Sequence, residues 1–292
     1  MARLFGFAQF EFAGPLALAD GRYLVRDQRA DGAESVLVVR TLGAPRPPSR
    51  RRRRPRPSDP GSEPGPLPLA QATAIRAFTP FADAAEAERW LDGVSEAEDT
   101  ADVLVADGIA LLNRALHAQT VAAGDEHEQT LRPERAVAVR IGYGSGEETA
   151  DGRYTAAHEV DVWASGASRR RRRQEDLRPQ ERVAAVLGGR ERLDACETLL
   201  LRARADFDAD REREAALQLR VGLEALLAEL GGAFDDPGHE EDLGTLRERR
   251  TEVGEAANQA LQDDLDAHGV TVVRELLEVC ERVLRRRRVL RS

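Results

Sequence analysis

Lysine is absent from this sequence, because all 43 basic residues of the 292-residue chain are arginines. The absence excludes the Walker A lysine of nucleotide-binding loops, the lysine of protein kinases, the lysine that holds pyridoxal phosphate as a Schiff base, and the lysine of SxxK nucleophile pairs. Several large enzyme classes are therefore excluded, and we expect no cofactor. An all-arginine composition is also typical of a GC-rich coding sequence.

Cysteine and histidine are scarce, with two and five residues in the chain. Cys196 and Cys280 both lie in helix-patterned apolar segments, where a free thiol behaves as a small buried hydrophobe. We expect neither a disulfide framework nor a cysteine zinc site. Acidic neighbours of His127 and His239 leave a weak metal site as an alternative, but no HExxH motif accompanies them, so we interpret both as solvent-exposed loop histidines.

Long apolar runs are missing as well. The first twelve residues, MARLFGFAQFEF, are interrupted by Gln9 and Glu11, unlike the apolar run of a signal peptide. No later apolar run approaches the roughly 18 residues that are needed to span a bilayer. We therefore expect a cytoplasmic protein that has no membrane partner.

The formal net charge of −9 conceals an uneven distribution. Residues 69–168 carry 18 acidic residues and only 7 arginines, whereas arginine is concentrated in three runs along the chain. Such asymmetry bears on partners and solubility rather than on fold. The first two runs supply the candidate polyanion-binding residues: Arg50, Arg51, Arg52, Arg53, Arg54, Arg56, Arg169, Arg170, Arg171, Arg172 and Arg173.

Arginine clusters bind polyanions with release of counterions, and each guanidinium suits paired contacts with phosphate. No aromatic residues are interleaved with these runs, so base stacking is not indicated. The alternative is that both runs are solvated tethers, or that they dock on the acidic surface of this protein or of a second copy. The third run, Arg285–Arg288, is expected to oppose the dipole at the end of a helix.

The first strand is predicted at the N-terminus, where four phenylalanines follow a period of two with one slip, as in a strand with a bulge. They are Phe5, Phe7, Phe10 and Phe12. Strands are also predicted at 22–26 and 35–41, each after an Asp-Gly pair that is typical of a hairpin turn. The stretch 43–68 holds nine of the fourteen prolines, so we predict a disordered Arg/Pro-rich insertion there.

A strand at 72–78, a short helix at 82–91 and a longer helix at 99–123 should follow, and the longer helix should end at Gly124. The clearest strand in the chain lies at 135–143. Its apolar residues are predicted to share one face: Val137, Val139, Ile141 and Tyr143. A last strand at 158–163 is predicted to return as its antiparallel neighbour.

Beyond a basic tether at 167–176 every pattern is helical, and we predict four to five helices over 177–292. A first helix should end at Gly188-Gly189, and a helical hairpin should follow over 193–230. Two further helices are predicted at about 240–265 and 270–290. The fold class is therefore α+β, with an N-terminal antiparallel-sheet domain (1–42 and 69–166) and an all-α C-terminal domain.

Three local sequence motifs give only weak support for a functional site. Gly142–Gly146 follows a strong strand, as a phosphate-binding loop does, but Glu147 and Glu148 would repel phosphate, so we favour a flexible hairpin loop. The region after Arg182 resembles a helix-turn-helix only superficially, because acidic residues would face the duplex. The pentapeptide ADGRY occurs twice, at 19–23 and 150–154, and we predict a turn with glycine at positive φ in both copies.

These observations favour a non-enzymatic interaction or adaptor protein whose helical domain binds a partner protein or a second copy of the chain. The first alternative is sequence-independent binding of nucleic acid or another polyanion through the arginine runs. The second is a small-molecule-binding enzyme with a site near Gly142–Gly146. No catalytic, cofactor-binding or metal-binding residue is assigned from the sequence, and neither the partner nor the oligomeric state follows from it.

Overall fold

The structure is a computed structural model, and it describes residues 3–26, 34–43, 68–161, 180, 182–230 and 236–291. The chain divides into two compact units, Met1–Gly166 and Ala167–Ser292, which we call the sheet unit and the helical unit. Each unit has its own buried apolar core. The predicted insertion at 43–68 lies outside the described residues except for its two ends, and the predicted tether at 167–176 lies outside them entirely.

Six antiparallel strands form one sheet in the sheet unit, in the order β2-β3-β4-β1-β5-β6. The strands are β1 (Leu4–Ala13), β2 (Gly21–Arg26), β3 (Glu34–Leu42), β4 (Leu69–Ile75), β5 (Ala136–Ser145) and β6 (Ala156–Glu159). β4 pairs with both β3 and β1, so strands on either side of the predicted insertion belong to the same sheet. The predicted antiparallel α+β fold is therefore confirmed, although β4 and β6 each begin earlier than the sequence patterns predict.

Two helices, α1 (Ala84–Glu96) and α2 (Glu98–Ala123), pack on one face of the sheet. Asp83 caps α1, because its side chain accepts a hydrogen bond from the backbone N–H of Glu86. α2 ends as predicted at Gly124, which adopts the left-handed conformation with φ of 62°. The short helix α3 (Gly146–Ala150) follows β5 directly.

The bulge predicted in β1 is wrong. β1 pairs with β4 in continuous register from Phe7 to Ala13, so the slip in the phenylalanine spacing moves the later side chains to the opposite face. Phe7 belongs to a small apolar cluster with Phe5 packed against it, whereas Phe10 and Phe12 belong to the main core under α1 and α2. β1 therefore supplies aromatic side chains to both faces of the sheet.

A register irregularity lies in β5 instead. The pairing of β1 with β5 shifts between Glu11 and Phe12, which leaves Val137 without a partner in β1. Val137 is exposed, so the prediction that it shares one face with Val139, Ile141 and Tyr143 is wrong. The other residues predicted for that face are buried: Val139, Ile141 and Tyr143.

The described part of the helical unit contains five long helices. They are α4 (Ala195–Asp208), α5 (Glu212–Leu230), α6 (Pro237–Glu248), α7 (Arg250–Gln262) and α8 (Ala267–Arg291). A short helical stretch at 182–187 precedes them and ends as predicted, with Gly189 in the left-handed conformation. α4 and α5 form the predicted helical hairpin, and the core between the helices consists mainly of leucine, alanine and valine.

The single helix predicted at 240–265 is wrong, because α6 ends at Glu248 and α7 begins at Arg250. No glycine or proline marks this break, and the side chain of Arg249 is held there by Glu252 and Glu275 at 2.7 and 2.8 Å. Apolar residues recur with helical spacing on both sides of Arg249, so hydrophobic periodicity does not reveal the end of one helix and the start of the next.

Both cysteines are buried in the core of the helical unit, as predicted. Burial raises the pKa of Cys196 and of Cys280 to about 12, so neither thiol ionises near neutral pH. Among the described helices, none combines the length and the apolar character that a membrane span needs.

Candidate functional site

The arginines predicted to bind polyanions lie outside the described residues. Arg50–Arg54 and Arg56 belong to the predicted insertion, and Arg169–Arg173 belong to the predicted tether. Polyanion binding through these residues therefore stays a prediction.

The third arginine run lies within α8, and its described side chains form ion pairs inside the helical unit. Arg286 lies 3.5 Å from Asp236 and 3.3 Å from Asp242. Arg287 is only 2% exposed and contacts Asp194. The run lies in the last turns of α8, which ends at Arg291, so its charges also face the negative end of the helix dipole. Its ion pairs connect α8 to other parts of the helical unit as well.

A buried ion cluster connects α4, α8 and the helical stretch that precedes α4. Glu197 is buried, and its carboxylate lies 2.6 Å from Arg182 and 4.0 Å from Arg287. Arg182 also contacts Glu191 at 2.8 Å. The hydrogen bond from Arg182 to Glu197 raises the pKa of the arginine, so its charge persists at every ordinary pH. Asp194 and Glu197, which occupy positions where a recognition helix would bury apolar residues, are instead partners of arginines within the helical unit.

An apolar ridge, formed by Val183 and Leu187, lies on the surface of the stretch at 182–187. The two side chains are four residues apart, so they share one face of the helix. Leu187 is 82% exposed and Val183 is 54% exposed. The ridge therefore presents two branched apolar side chains to solvent on adjacent turns.

The ion pairs of Arg182 anchor the residues that carry the ridge. Because Arg182 is at the start of the stretch and bonds to Glu191 and Glu197, the helix is attached to the start of α4. Two exposed arginines, Arg190 and Arg192, follow the ridge in the chain. The surface thus combines an anchored apolar ridge with positive charge close by in sequence.

The glycines of the segment Gly142–Gly146 are explained by packing. A Cβ atom at Gly142 would collide with the backbone of Ala156 in β6. A Cβ atom at Gly144 would lie 3.2 Å from the side chain of Thr149. Close approach of β5 to its neighbours accounts for both residues, without a bound anion.

Two backbone N–H groups at the start of α3, those of Ser145 and Glu148, are already engaged by protein side chains. The Ser145 hydroxyl accepts a hydrogen bond from the N–H of Glu148, and the Glu148 carboxylate accepts one from the N–H of Ser145, which forms a capping box. These hydrogen bonds to Ser145 lower the pKa of Glu148, so a negative charge stays at this helix end. The geometry favours a structural loop over a phosphate-binding one.

The two ADGRY segments lie together in the sheet unit, because Arg22 of the first copy forms an ion pair with Asp151 of the second at 3.2 Å. The predicted positive φ is confirmed at Gly152, where φ is 69°. It is wrong at Gly21, which begins β2 with an extended backbone. The two copies therefore share a sequence and a contact, but they differ in conformation.

A buried polar row crosses the sheet face that is opposite α1 and α2. Thr73, Gln9 and Arg140 lie side by side on β4, β1 and β5. Gln9 is 1% exposed, and its side-chain amide donates to the Thr73 hydroxyl at 3.1 Å and to the carbonyl of Gly152 at 3.2 Å. Arg140 contacts Glu11 at 2.7 Å. The row therefore fastens the loop that carries the second ADGRY copy onto the sheet.

The predicted exposure of His239 is wrong, because this residue is fully buried in the first turn of α6. Pro237 begins the helix, and Asp236 caps it by accepting the backbone N–H of His239 at 2.8 Å. His127 is exposed, as predicted. Within the described ranges, no group of three or more His, Cys, Asp or Glu side chains could hold a metal ion.

Sequence reasoning missed both the apolar ridge and the burial of Arg287. The spacing of Val183 and Leu187 was visible, but it does not tell whether that helix face meets the core or solvent. For Arg287 no local signal exists, because a run of arginines is ordinarily a solvated surface. Comparison of the chain with models of protein families, with curated proteins and with solved structures finds no match.

Proposed function

We propose that this chain is an interaction protein whose helical unit binds a protein partner through the apolar ridge of Val183 and Leu187. The observation that carries the proposal is the 82% exposure of Leu187 on a helix that is anchored by partly buried ion pairs. Burying a leucine side chain contributes roughly 1.5–3 kcal/mol, and a complex gains this free energy by covering the ridge. Because Arg182 already attaches the helix to α4, less ordering accompanies binding.

The chemistry around the ridge selects the kind of partner. Arg190 and Arg192 are exposed and follow the ridge after Gly188 and Gly189. An amphipathic helix with apolar side chains on one face and carboxylates beside them complements this surface. We therefore propose an acidic amphipathic helix of a partner protein as the occupant of the ridge.

The other expectations from the sequence are kept as predictions. A cytoplasmic location and self-association are compatible with this proposal. Polyanion binding is a separate mode, because it assigns the contact to Arg50–Arg54, Arg56 and Arg169–Arg173 and not to the ridge.

The test compares three full-length baits in affinity capture from the host lysate, with and without nuclease. They are the wild type, the ridge variant Val183→Ser/Leu187→Ser, and the matched control Leu201→Ser/Val221→Ser, which changes two other exposed apolar residues of the helical unit. We expect the wild type and the control to retain the same proteins after nuclease treatment, and the ridge variant to lose them. Each retained protein, once purified, should bind the purified wild-type chain through an acidic segment.

Three results would contradict the proposal. The first is that the ridge variant still captures the same proteins as the wild type. The second is that the control variant loses them as the ridge variant does, and the third is that nuclease removes them from every bait. The last result favours polyanion binding. Sedimentation of the purified baits identifies the case in which the partner is a second copy, because only the ridge variant then becomes smaller.

A further inference from the structure

A pocket in the sheet unit combines aromatic walls with one guanidinium group. Its walls include Phe78, Phe81 and Trp90, its floor includes Gly6, and Arg76 lines it as well. Aromatic residues make up only 4% of the chain, yet three of them line this pocket, and Phe78 is 44% exposed. The pocket is therefore an unusual concentration of accessible aromatic surface in an aromatic-poor protein.

The walls of the pocket are attached to the sheet at several points. The backbone N–H of Arg76 donates to the carbonyl of Gly6 at 2.9 Å, and that of Phe81 donates to the carbonyl of Leu4 at 2.9 Å. The rings of Phe81 and Trp90 lie 5.2 Å apart, centroid to centroid. A Cβ atom at Gly6 would approach the Trp90 ring to 3.0 Å, so the tryptophan lies directly over this glycine. The pocket thus exists before any ligand enters it.

Arg76 brings positive charge to this pocket. Its guanidinium lies 5.4 Å from the centre of the Phe78 ring, and it forms no ion pair with any residue that the structure describes. Glu86 also lines the pocket, but its carboxylate accepts the backbone N–H of Ala82 at 2.6 Å at the start of α1. A guanidinium over a ring keeps its N–H groups available for paired hydrogen bonds to a carboxylate.

We propose that this pocket binds a carboxylate that is attached to an aromatic ring. The ring lies among Phe78, Phe81 and Trp90, and the carboxylate pairs with Arg76. This ligand class includes free arylalkyl carboxylic acids and the C-terminal phenylalanine of a peptide. The site is independent of the apolar ridge, so either proposal can fail without the other.

Tryptophan fluorescence of the full chain tests the site directly. The chain has two tryptophans, Trp90 and Trp163, so the variant Trp163→Phe leaves Trp90 as the only tryptophan reporter. In this background we titrate 3-phenylpropionate and its neutral analogue 3-phenylpropanamide. We expect the acid to change the emission of Trp90 and to bind roughly tenfold or more tightly than the amide, because the neutral amide lacks the negative charge and the second acceptor oxygen that pair with the guanidinium.

Matched variants assign the effect to Arg76. Arg76→Gln should weaken the acid roughly tenfold and leave the amide unchanged, whereas Phe78→Ala should weaken both ligands. Arg89→Gln is the control, because Arg89 precedes Trp90 on α1 but does not line the pocket. Circular dichroism verifies that each variant is folded, and Phe78→Ala keeps the test informative if Arg76→Gln does not fold.

A peptide ending in phenylalanine, with a free or an amidated C-terminus, distinguishes the two sources of the ligand. Stronger binding of the free peptide than of 3-phenylpropionate supports a peptide C-terminus, and the opposite order supports a small acid. The proposal is overturned if neither acid binds, if acid and amide bind equally, or if Arg76→Gln and Arg89→Gln have the same effect.

Discussion

The sheet unit and the helical unit bury polar side chains in opposite ways. In the sheet unit the fully buried members of the polar row are the neutral groups of Gln9 and Thr73, which are hydrogen-bonded to each other, whereas its charged member, Arg140, is only partly buried. In the helical unit the buried polar groups are mainly charged, with Arg287 and Glu197 inside a cluster of ion pairs. The apolar cores differ too, because aromatic rings contribute to the first and aliphatic side chains dominate the second.

This difference has a physical consequence for stability. A buried neutral group that loses its partner costs about 1–3 kcal/mol, whereas a buried charge that loses its partner costs about 3–5 kcal/mol. The helical unit should therefore depend strongly on a few arginines, one of which, Arg182, also anchors the apolar ridge. The sheet unit should depend more on the shape of its core.

The largest effect is expected for Arg287→Met, which removes the buried cation and leaves Asp194 with a diminished set of partners. We expect the helical unit to lose about 3 kcal/mol of its free energy of unfolding. The measurement is urea unfolding followed by hydrogen exchange of peptides from each unit, so that the two units report separately. Arg285→Met is the control, because Arg285 is exposed and lies 3.7 Å from Glu281. Its effect should stay below about 0.5 kcal/mol, and equal effects would contradict the comparison.

A smaller effect is expected in the sheet unit for Gln9→Met, which preserves approximate volume but removes the amide. The Thr73 hydroxyl and the Gly152 carbonyl then lose a donor, and we expect a cost of about 2 kcal/mol. The same hydrogen-exchange measurement should show faster exchange around Gly152. Arg22→Ala removes only the exposed ion pair to Asp151 in the same loop, and it should cost less than about 1 kcal/mol. A loop that exchanges faster in the control than in Gln9→Met would contradict the assigned role.

The elements that the sequence predicted well are those that end at a recognisable residue. Gly124 and Gly189 mark helix ends by their left-handed conformation, and the Asp-Gly pairs preceded strands in the predicted order. The phenylalanine slip in β1 was misinterpreted, because a bulge and a strand with two apolar faces produce the same local pattern. The break at Arg249 had no signal, because neither glycine nor proline accompanies it.

The candidate site was less predictable than the fold. The spacing of Val183 and Leu187 indicates one helix face, but only the tertiary packing determines that this face is exposed. Arg287 is buried because Asp194, which is distant in sequence, provides a counter-ion. Contacts of this kind depend on the arrangement of whole helices, which local composition does not encode.

Alkaline pH should affect the helical unit first. Burial raises the pKa of Cys196 and Cys280 to about 12, and burial also raises the pKa of Tyr143 in the sheet unit. In the unfolded chain the two thiols ionise near pH 8.5 and the tyrosine hydroxyl near pH 10. Folding favours the neutral form of each group, because its pKa is higher in the folded chain than in the unfolded chain. The free energy of unfolding is therefore unaffected by the ionisation of these groups below their unfolded pKa, and it decreases as the pH increases above that value. At about pH 9.5 we expect a loss of about 1 kcal/mol for each thiol, before Tyr143 contributes.

Urea unfolding of each unit between pH 7 and pH 10.5 measures this order. The variant Cys196→Ala/Cys280→Ala is the control, because it removes the two thiols from the pH dependence even if its absolute stability is lower. Loss of stability in the sheet unit at a lower pH than in the helical unit would contradict the prediction.

The smallest effects are expected for alanine substitutions of a helical glycine in each unit, which compare how rigid the two cores are. A Cβ atom at Gly108 of α2 would lie 2.8 Å from the ring of Phe10, and one at Gly222 of α5 would lie 2.9 Å from the Leu200 side chain. Alanine is about 1 kcal/mol better than glycine within a helix, so each substitution has a favourable part that opposes the collision. A ring packed between the sheet and α2 has little room to move, whereas a leucine can change rotamer at modest cost.

We therefore expect Gly108→Ala to destabilise the sheet unit by about 1 kcal/mol, and Gly222→Ala to be nearly neutral in the helical unit. Gly93→Ala in α1 is the control for the favourable part, because nothing lies within 4 Å of a Cβ atom there. It should stabilise the sheet unit by up to about 1 kcal/mol in urea unfolding. If Gly222→Ala costs as much as Gly108→Ala, the aliphatic core accommodates an added methyl group no better than the aromatic one, and the contrast between the two units is confined to their buried polar groups.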